Sequence, residues 1–401
     1  MSEPRHGHST ETEQTGDIDF SLVTGDPLDR AQRTIGLIPA RGRGIGRRIV
    51  IAVGLTWLPL VLWAVWNHLF LEGVAPEPLF RHFGIHARFL VALPLFLASE
   101  GLVELTLRRV LPQFVSSGLI DEALLPAFKN ILVAAGRLRD SRLALGAILV
   151  GVVAASVTGW GQAEHNHELL WTEPAVGREI AAAWFTCVSR PIFLLVLLAW
   201  LWRLVVLTRL FAQIARLDLR LAPTHPDRAG GLGFVEQLPV AFAPFFFGIA
   251  VAIAGRWGHD SLYHGMPVKE LQAPAGLLVA VSVLIGLAPL VMFAGTLARA
   301  KRRNLIAVRA LLGNYGRLFE RRWMRGETVD DAAMLAAPEI GPVADTIGLF
   351  EAVNRMRVVP VSRGSIVPLA LAVAVPLIPV FATQMPVKDA VLKVLAPLMG
   401  L

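Results

Sequence analysis

Seven apolar runs cross this sequence, and Lys and Arg crowd into every second gap between them. A helix needs about 20 apolar residues to span the hydrocarbon core of a bilayer. The runs cover 49–71, 89–107, 143–160, 181–202, 238–254, 276–297 and 366–385. Lipid offers no hydrogen bonds, so a spanning segment must satisfy its backbone internally, and open runs of this length read as helices. The pattern predicts an all-α fold, a polytopic transmembrane helical bundle of about seven spans. The third and fifth runs are short, and the fifth holds Pro239 and Pro244, which predicts broken or tilted helices there.

The charges orient the bundle. The segment through Arg48 holds seven Lys and Arg, 108–142 holds six, 203–237 five and 299–363 twelve, which is thirty of the chain's 38. The other gaps share Arg81, Arg88, Arg178, Arg256, Lys269, Lys388 and Lys393. Basic loops stay on the cytoplasmic side, so the N-terminus is expected inside and the C-terminus outside. Trp63, Trp66, Trp160, Trp171, Trp200, Trp202 and Trp257 fall near the predicted interfaces, where amphipathic rings settle. The same topology accounts for the net charge of +7, so nucleic acid is not an expected partner. At 54% hydrophobic and 17% charged residues, a soluble globule would expose large apolar patches. The single cysteine, Cys187, lies in an apolar run and excludes both an intramolecular disulfide and a cysteine-based metal site.

Three regions follow. Residues 1–48 are polar, mixed in charge and without a signal-peptide core, and read as a disordered cytoplasmic tail. Residues 49–385 form the bundle, with cytoplasmic helical insertions at 108–142, 203–237 and 299–365. Residues 386–401 form a short extracytoplasmic segment. Within the insertions, Leu111, Phe114, Leu119, Leu124, Phe128 and Leu132 are spaced like a helical hairpin. Leu305, Val308, Leu311, Leu312, Tyr315, Leu318 and Phe319 mark an amphipathic helix with a basic opposite face, and 343–358 a second helix. These helices are expected to pack into a small cap; basic helices lying in the headgroup layer are the competing arrangement.

Three groups of residues carry candidate chemistry. Charges inside spans are costly and are read as functional by default. Glu100 and Glu104 share one face of span two, and Arg190 lies in span four, so an intramembrane polar pair of Glu100 with Arg190 is expected; a helix-orienting ion pair is the plain alternative. Histidines gather in the outer segments. Among them His82, His86, His165, His167, His259 and His264 offer neutral imidazoles beside carboxylates, the donors that Zn²⁺, Ni²⁺ or Cu²⁺ prefer. Polar outer loops with interfacial histidines are the plainer alternative. Third, the cytoplasmic loop 223–234 places His225, Asp227 and Arg228 beside Gly230, Gly231 and Gly233, an arrangement suited to an anion nest of backbone amides or to a rigid turn aiming span five.

This loop, Pro223-Thr-His-Pro-Asp-Arg-Ala-Gly-Gly-Leu-Gly-Phe234, also carries a resemblance. With the preceding Ala215-Arg-Leu-Asp-Leu-Arg-Leu221, the His86-Ala-Arg-Phe-Leu90 segment, Arg137-Leu-Arg-Asp-Ser141 and Phe350-Glu-Ala-Val-Asn-Arg-Met-Arg-Val-Val-Pro360, it resembles an uncharacterised family of bacterial multi-pass inner-membrane proteins. The resemblance runs from about residue 80 to 385. It implies an inner-membrane location and a core of six or seven helices, and it supplies no reaction or substrate.

The expected function is passage of a small solute or ion past Glu100, Arg190 and span five. The alternatives are a non-catalytic sensor or assembly partner responding to metal or pH, and a membrane enzyme on a phosphorylated lipid. No Ser/His/Asp or paired-carboxylate constellation is present, so the reading leans away from an enzyme. No cofactor is expected. The expected partners are the bilayer and a cytoplasmic protein, and the sequence leaves oligomeric state open.

Overall fold

The protein is described here by a computed structural model covering residues 18, 20–39, 43–71, 77–165, 169–172, 178–327 and 341–399. Among the described residues all regular structure is helical. Seven helices are long and apolar enough to cross a membrane: Ile45–Trp66, Phe83–Ser116, Leu125–Thr158, Arg178–Ile214, Gly233–Tyr263, Gln272–Val291 and Arg363–Ala382, called spans one to seven below. Each contains most or all of one predicted run. Their outward side chains are apolar and bare, as Leu62, Val150, Val157, Leu277 and Leu284 show at 59–68% exposure. A surface of that kind is stable against lipid and not against water. The chain is an integral membrane protein.

Spans two, four and five make the centre. Their core is aromatic: Phe96 packs on Phe193 and Phe245, and Trp200 on Phe242 and Phe245, with ring centroids 5.1–5.8 Å apart. All but Phe193 of these rings are fully buried. Spans two and five approach closely because span five supplies glycine at the contacts. A Cβ on Gly248 would stand 2.8 Å from the Phe96 ring, and one on Gly255 would stand 2.6 Å from the Ala87 Cβ.

Proline shapes the helices in a regular way. Spans two and four each widen into a π turn, at Ala87–Ala92 and Phe185–Ser189, just ahead of Pro94 and Pro191. Proline lacks the N–H of the normal ladder and its ring crowds the carbonyl four residues back, and a widened turn relieves that conflict. Span five departs from the expected break. Its helix Gln237–Tyr263 is continuous through Pro244, and Pro239 falls in the first turn, where an N–H has no helical partner. Span three is also longer than its apolar run, because helices Leu125–Arg139 and Arg142–His165 follow one another across a turn at Asp140–Ser141.

On the basic side of the bundle, span two runs on to Ser116 and the Leu125–Arg139 helix returns beside it, with the Phe114 and Phe128 rings 6.1 Å apart. Helices Ala294–Phe319 and Gly341–Asn354 pack on one another. Lys301 ties their base to the Met356 carbonyl at 2.7 Å.

The expectation of a disordered tail through Arg48 fails for its folded part. Phe20, Leu22, Val23 and Ile38 are buried, and a short helix, Pro27–Thr34, is N-capped by Asp26, whose Oδ1 accepts from the Asp29 N–H at 2.6 Å. Polar composition hid a small apolar anchor and a helix start signal, Asp-Pro, that together dock this segment against the bundle.

Candidate functional site

One polar site lies where span five ends beside the start of span two, and a second lies midway along span two. The first sits where span five ends. His259 and His264 come from the last turn of span five and the residue after it, and His82 immediately precedes span two. Gly255, one turn before His259, allows the close approach that sets His82 and His259 ring to ring at 4.5 Å. Glu77 completes the group. One of its oxygens, Oε2, lies 3.8 Å from His82 Nε2, 3.4 Å from His259 Nε2 and 3.6 Å from His264 Nε2. Ligand atoms of Glu77, His82 and His259 all fall within 4.8 Å of one another.

These separations exceed good hydrogen bonds, which fall at about 2.7–3.2 Å. They match the edges of a tetrahedron around a metal ion instead: bonds of 2.0–2.1 Å place ligand atoms about 3.3 Å apart. Glu77 Oε2, His82 Nε2 and His259 Nε2 are buried and make no hydrogen bond. Buried polar atoms are nearly always satisfied, so three such atoms facing one point demand a partner. The opposite ring nitrogen of His259 lies 2.9 Å from the Arg81 carbonyl, the contact that fixes a ligating imidazole's tautomer and aim. Burial, reinforced by the neighbouring His259 and opposed by a hydrogen bond to the Glu77 backbone, pushes His82 down to about 3. It is therefore neutral at physiological pH, the form that ligates. The donor set, imidazole nitrogens with one carboxylate, fits Zn²⁺ and also Ni²⁺ or Co²⁺.

Three of the six predicted histidines thus converge. His86 does not: it accepts from the Trp57 indole at 2.9 Å, and its other nitrogen is 3.0 Å from the Leu79 carbonyl. His165 is the last residue of its helix, and His167 lies outside the described residues. Glu77 was missed because nothing in a polar loop distinguishes one acid from its neighbours before the chain is folded.

The second site is a chain of buried charges midway along span two. Glu100 is 1% exposed. Its Oε1 accepts from Arg203 Nη1 of span four at 2.9 Å, and its Oε2 pairs with Arg48 of span one. Arg203, 2% exposed, continues to Asp26 Oδ2, with Nη2 at 2.8 Å and Nε at 3.2 Å. Its guanidinium also lies 5.2 Å from the Trp200 ring. One turn along, Glu104 accepts from Ser21 Oγ at 2.6 Å and from Arg108 Nε at 3.1 Å, and Arg43 stands 3.7 Å away. Arg139 donates to the Ser21 and Thr24 carbonyls at 2.5 and 2.8 Å.

The expected partner of Glu100 is therefore corrected. Arg190 is thirteen residues before Arg203 on the same span, roughly 20 Å along the axis. Arg203, placed by sequence at a span end where it would reach for water, is instead enclosed by the docked N-terminal segment.

The loop 223–234 holds its own anion. Asp227 accepts from the backbone N–H groups of Ala229 and Gly233 at 2.8 Å and of Gly231 at 3.2 Å, and His225 Nδ1 is 2.9 Å away. Burial works against the charge, but these donors prevail and hold the carboxyl below the usual aspartate value. The amides expected for an external anion are thus engaged. Arg228 itself takes φ +55°, Gly230 +68° and Gly231 +95°. Arg357 clasps the loop from the chain's later half, bonding the Asp227 and Arg228 carbonyls at 2.8 and 2.7 Å and Glu236 at 2.8 Å. Comparison with protein-family models, curated proteins and solved structures gives no match to this chain.

Proposed function

We propose that this protein is a metal-responsive membrane protein, a non-catalytic sensor or assembly partner that binds one divalent transition-metal ion through Glu77, His82 and His259, with His264 beside them. The observation that carries the reading is the convergence of three buried, unsatisfied ligand atoms on one point. We place the site on the extracytoplasmic face, because Lys and Arg concentrate at the other ends of the spans. The bacterial inner membrane follows from the family resemblance. Packing supports sensing over passage: the centre between the two sites is filled by Phe96, Trp200, Phe242 and Phe245, and Glu100 is locked between two arginines. The partner we assign is a cytoplasmic protein reading the Ala294–Phe319 and Gly341–Asn354 helices.

The test is zinc titration of the chelator-stripped, detergent-purified protein, with bound metal counted by elemental analysis. One ion per chain is expected. Glu77→Gln and His82→Ala should each weaken binding by more than the 10–100-fold typical of losing a supporting hydrogen bond to a ligand. His68→Ala should leave it unchanged. Binding that is absent, or indifferent to Glu77 and His82, overturns the proposal.

A further inference from the structure

A cleft of about 330 Å³ opens between the Leu125–Arg139 helix and the inner end of span four. Its walls are apolar, with Leu138, Val206 and Leu210 among them, and its polar groups are Arg137, Arg209, Gln213 and Ser141. Arg137 and Arg209 are both exposed, and among the described residues neither makes a hydrogen bond or ion pair. The nearby carboxylate that would offset them, Asp140, is already held by Arg139 at 2.7 Å and Arg30 at 3.1 Å. Two guanidinium groups therefore face one small cavity with their charge uncompensated.

Position says what neutralises them. Arg209 lies six residues beyond the buried Arg203, about 9 Å further along the helix. Arg137 lies just ahead of the turn where span three begins its apolar course, with Leu143 88% exposed. Val133 and Val205, more than half exposed, flank the cleft on its two helices. The cleft thus sits at headgroup level with apolar surface on either side. Its volume is at the low end for ligand pockets, about 300–1,000 Å³. It has room for a glycerophosphate headgroup while the acyl chains stay in the bilayer.

We infer that this cleft binds the phosphate of an anionic phospholipid. Guanidinium forks match phosphate oxygens geometrically, and Gln213 and Ser141 supply further donors. A zwitterionic headgroup brings an ammonium toward two positive charges and is disfavoured. Juxtamembrane basic residues attract anionic lipid in this way generally, but here the pair is set in a shaped cavity between two helices.

The experiment is native mass spectrometry and thermal unfolding of the full chain in detergent. The probes are short-chain phosphatidylglycerol, short-chain phosphatidylcholine and inorganic phosphate. Phosphatidylglycerol should be retained as a discrete adduct and raise the unfolding midpoint, with the other two far weaker. Arg137→Gln combined with Arg209→Gln should reduce apparent affinity about tenfold or more, as expected for removing two membrane-level charges. The pair Arg317→Gln and Arg325→Gln, on the distant basic arm, should change nothing. Both cleft arginines are exposed and unpaired, so the variant keeps its fold and its unliganded midpoint. Equal effects of phosphatidylcholine, equal effects of inorganic phosphate, or an adduct that survives the double substitution would each overturn the assignment.

Discussion

Arg203 is the residue on which most of the buried charge depends. It joins Glu100 of span two to Asp26 of the N-terminal segment, and removing it strands the buried Asp26 carboxylate and leaves Glu100 with Arg48 alone. Breaking a buried pair from one side costs about 3–5 kcal/mol, so Arg203→Met should lower the unfolding midpoint sharply, read by circular dichroism in detergent. Replacing Asp26 by Asn together with Arg203→Met should recover part of that loss, because Glu100 then keeps Arg48 and no carboxylate is left unpaired. Asp227 makes a milder, pH-tunable contribution. Its carboxyl is held below the usual aspartate value, so its stabilisation is present above that value and fades as pH falls through the folded one. Asp227→Asn should therefore lower the midpoint at pH 7, and the gap between variant and parent should close in strongly acidic buffer.

At this scale the sequence was legible in part. His82, His259 and His264 stood out as imidazoles in outer segments. His86 does not join them: His82 precedes the helix that opens at Phe83, so four residues of separation do not put the two rings on one face. Arg203 was visible as a charge at a span end, but its partner Asp26 lies 177 residues away in a polar stretch with no periodicity to announce it. Long-range pairs of this kind depend on how helices are arranged, which hydropathy does not encode.

Among the elements, spans two and five form a working unit, and glycine sets their distance. Gly255 faces Ala87 with no room for a side chain, and the histidines sit one turn from that contact. Gly255→Leu should push the helix ends apart and weaken zinc binding while far-ultraviolet helicity stays near that of the parent. Unaltered zinc affinity would show that the ligand geometry does not depend on this contact. The spans themselves were readable from apolar runs because length against bilayer thickness is a one-dimensional property. Their true ends were not, since polar turns beyond the lipid continue the same helices. Nor did Pro244 break span five: the helix runs on through it, packed against spans two and seven.

Across the whole molecule, the two polar sites are separated by an aromatic middle. The proposed orientation, with the Lys- and Arg-rich side inside, is open to a direct test. On a Cys187→Ser background, a cysteine at Gly265 should react with a membrane-impermeant thiol reagent added outside intact cells. One at Gly326 should react only after the membrane is opened. The reverse pattern would invert the topology and move the histidine cluster to the cytoplasm.

The docked N-terminal segment also sets an order of events during synthesis. Asp26 leaves the ribosome early, but its partner Arg203 follows 177 residues later. At 5–20 residues per second that is a wait of roughly ten to thirty-five seconds. Until span four is inserted, the segment has no dock, and Arg48 enters the bilayer border before Glu100 exists to receive it. Closure of the segment over Arg203 thus reports that four spans have been threaded and packed. A protease with access to this one stretch of backbone would distinguish finished chains from stalled ones.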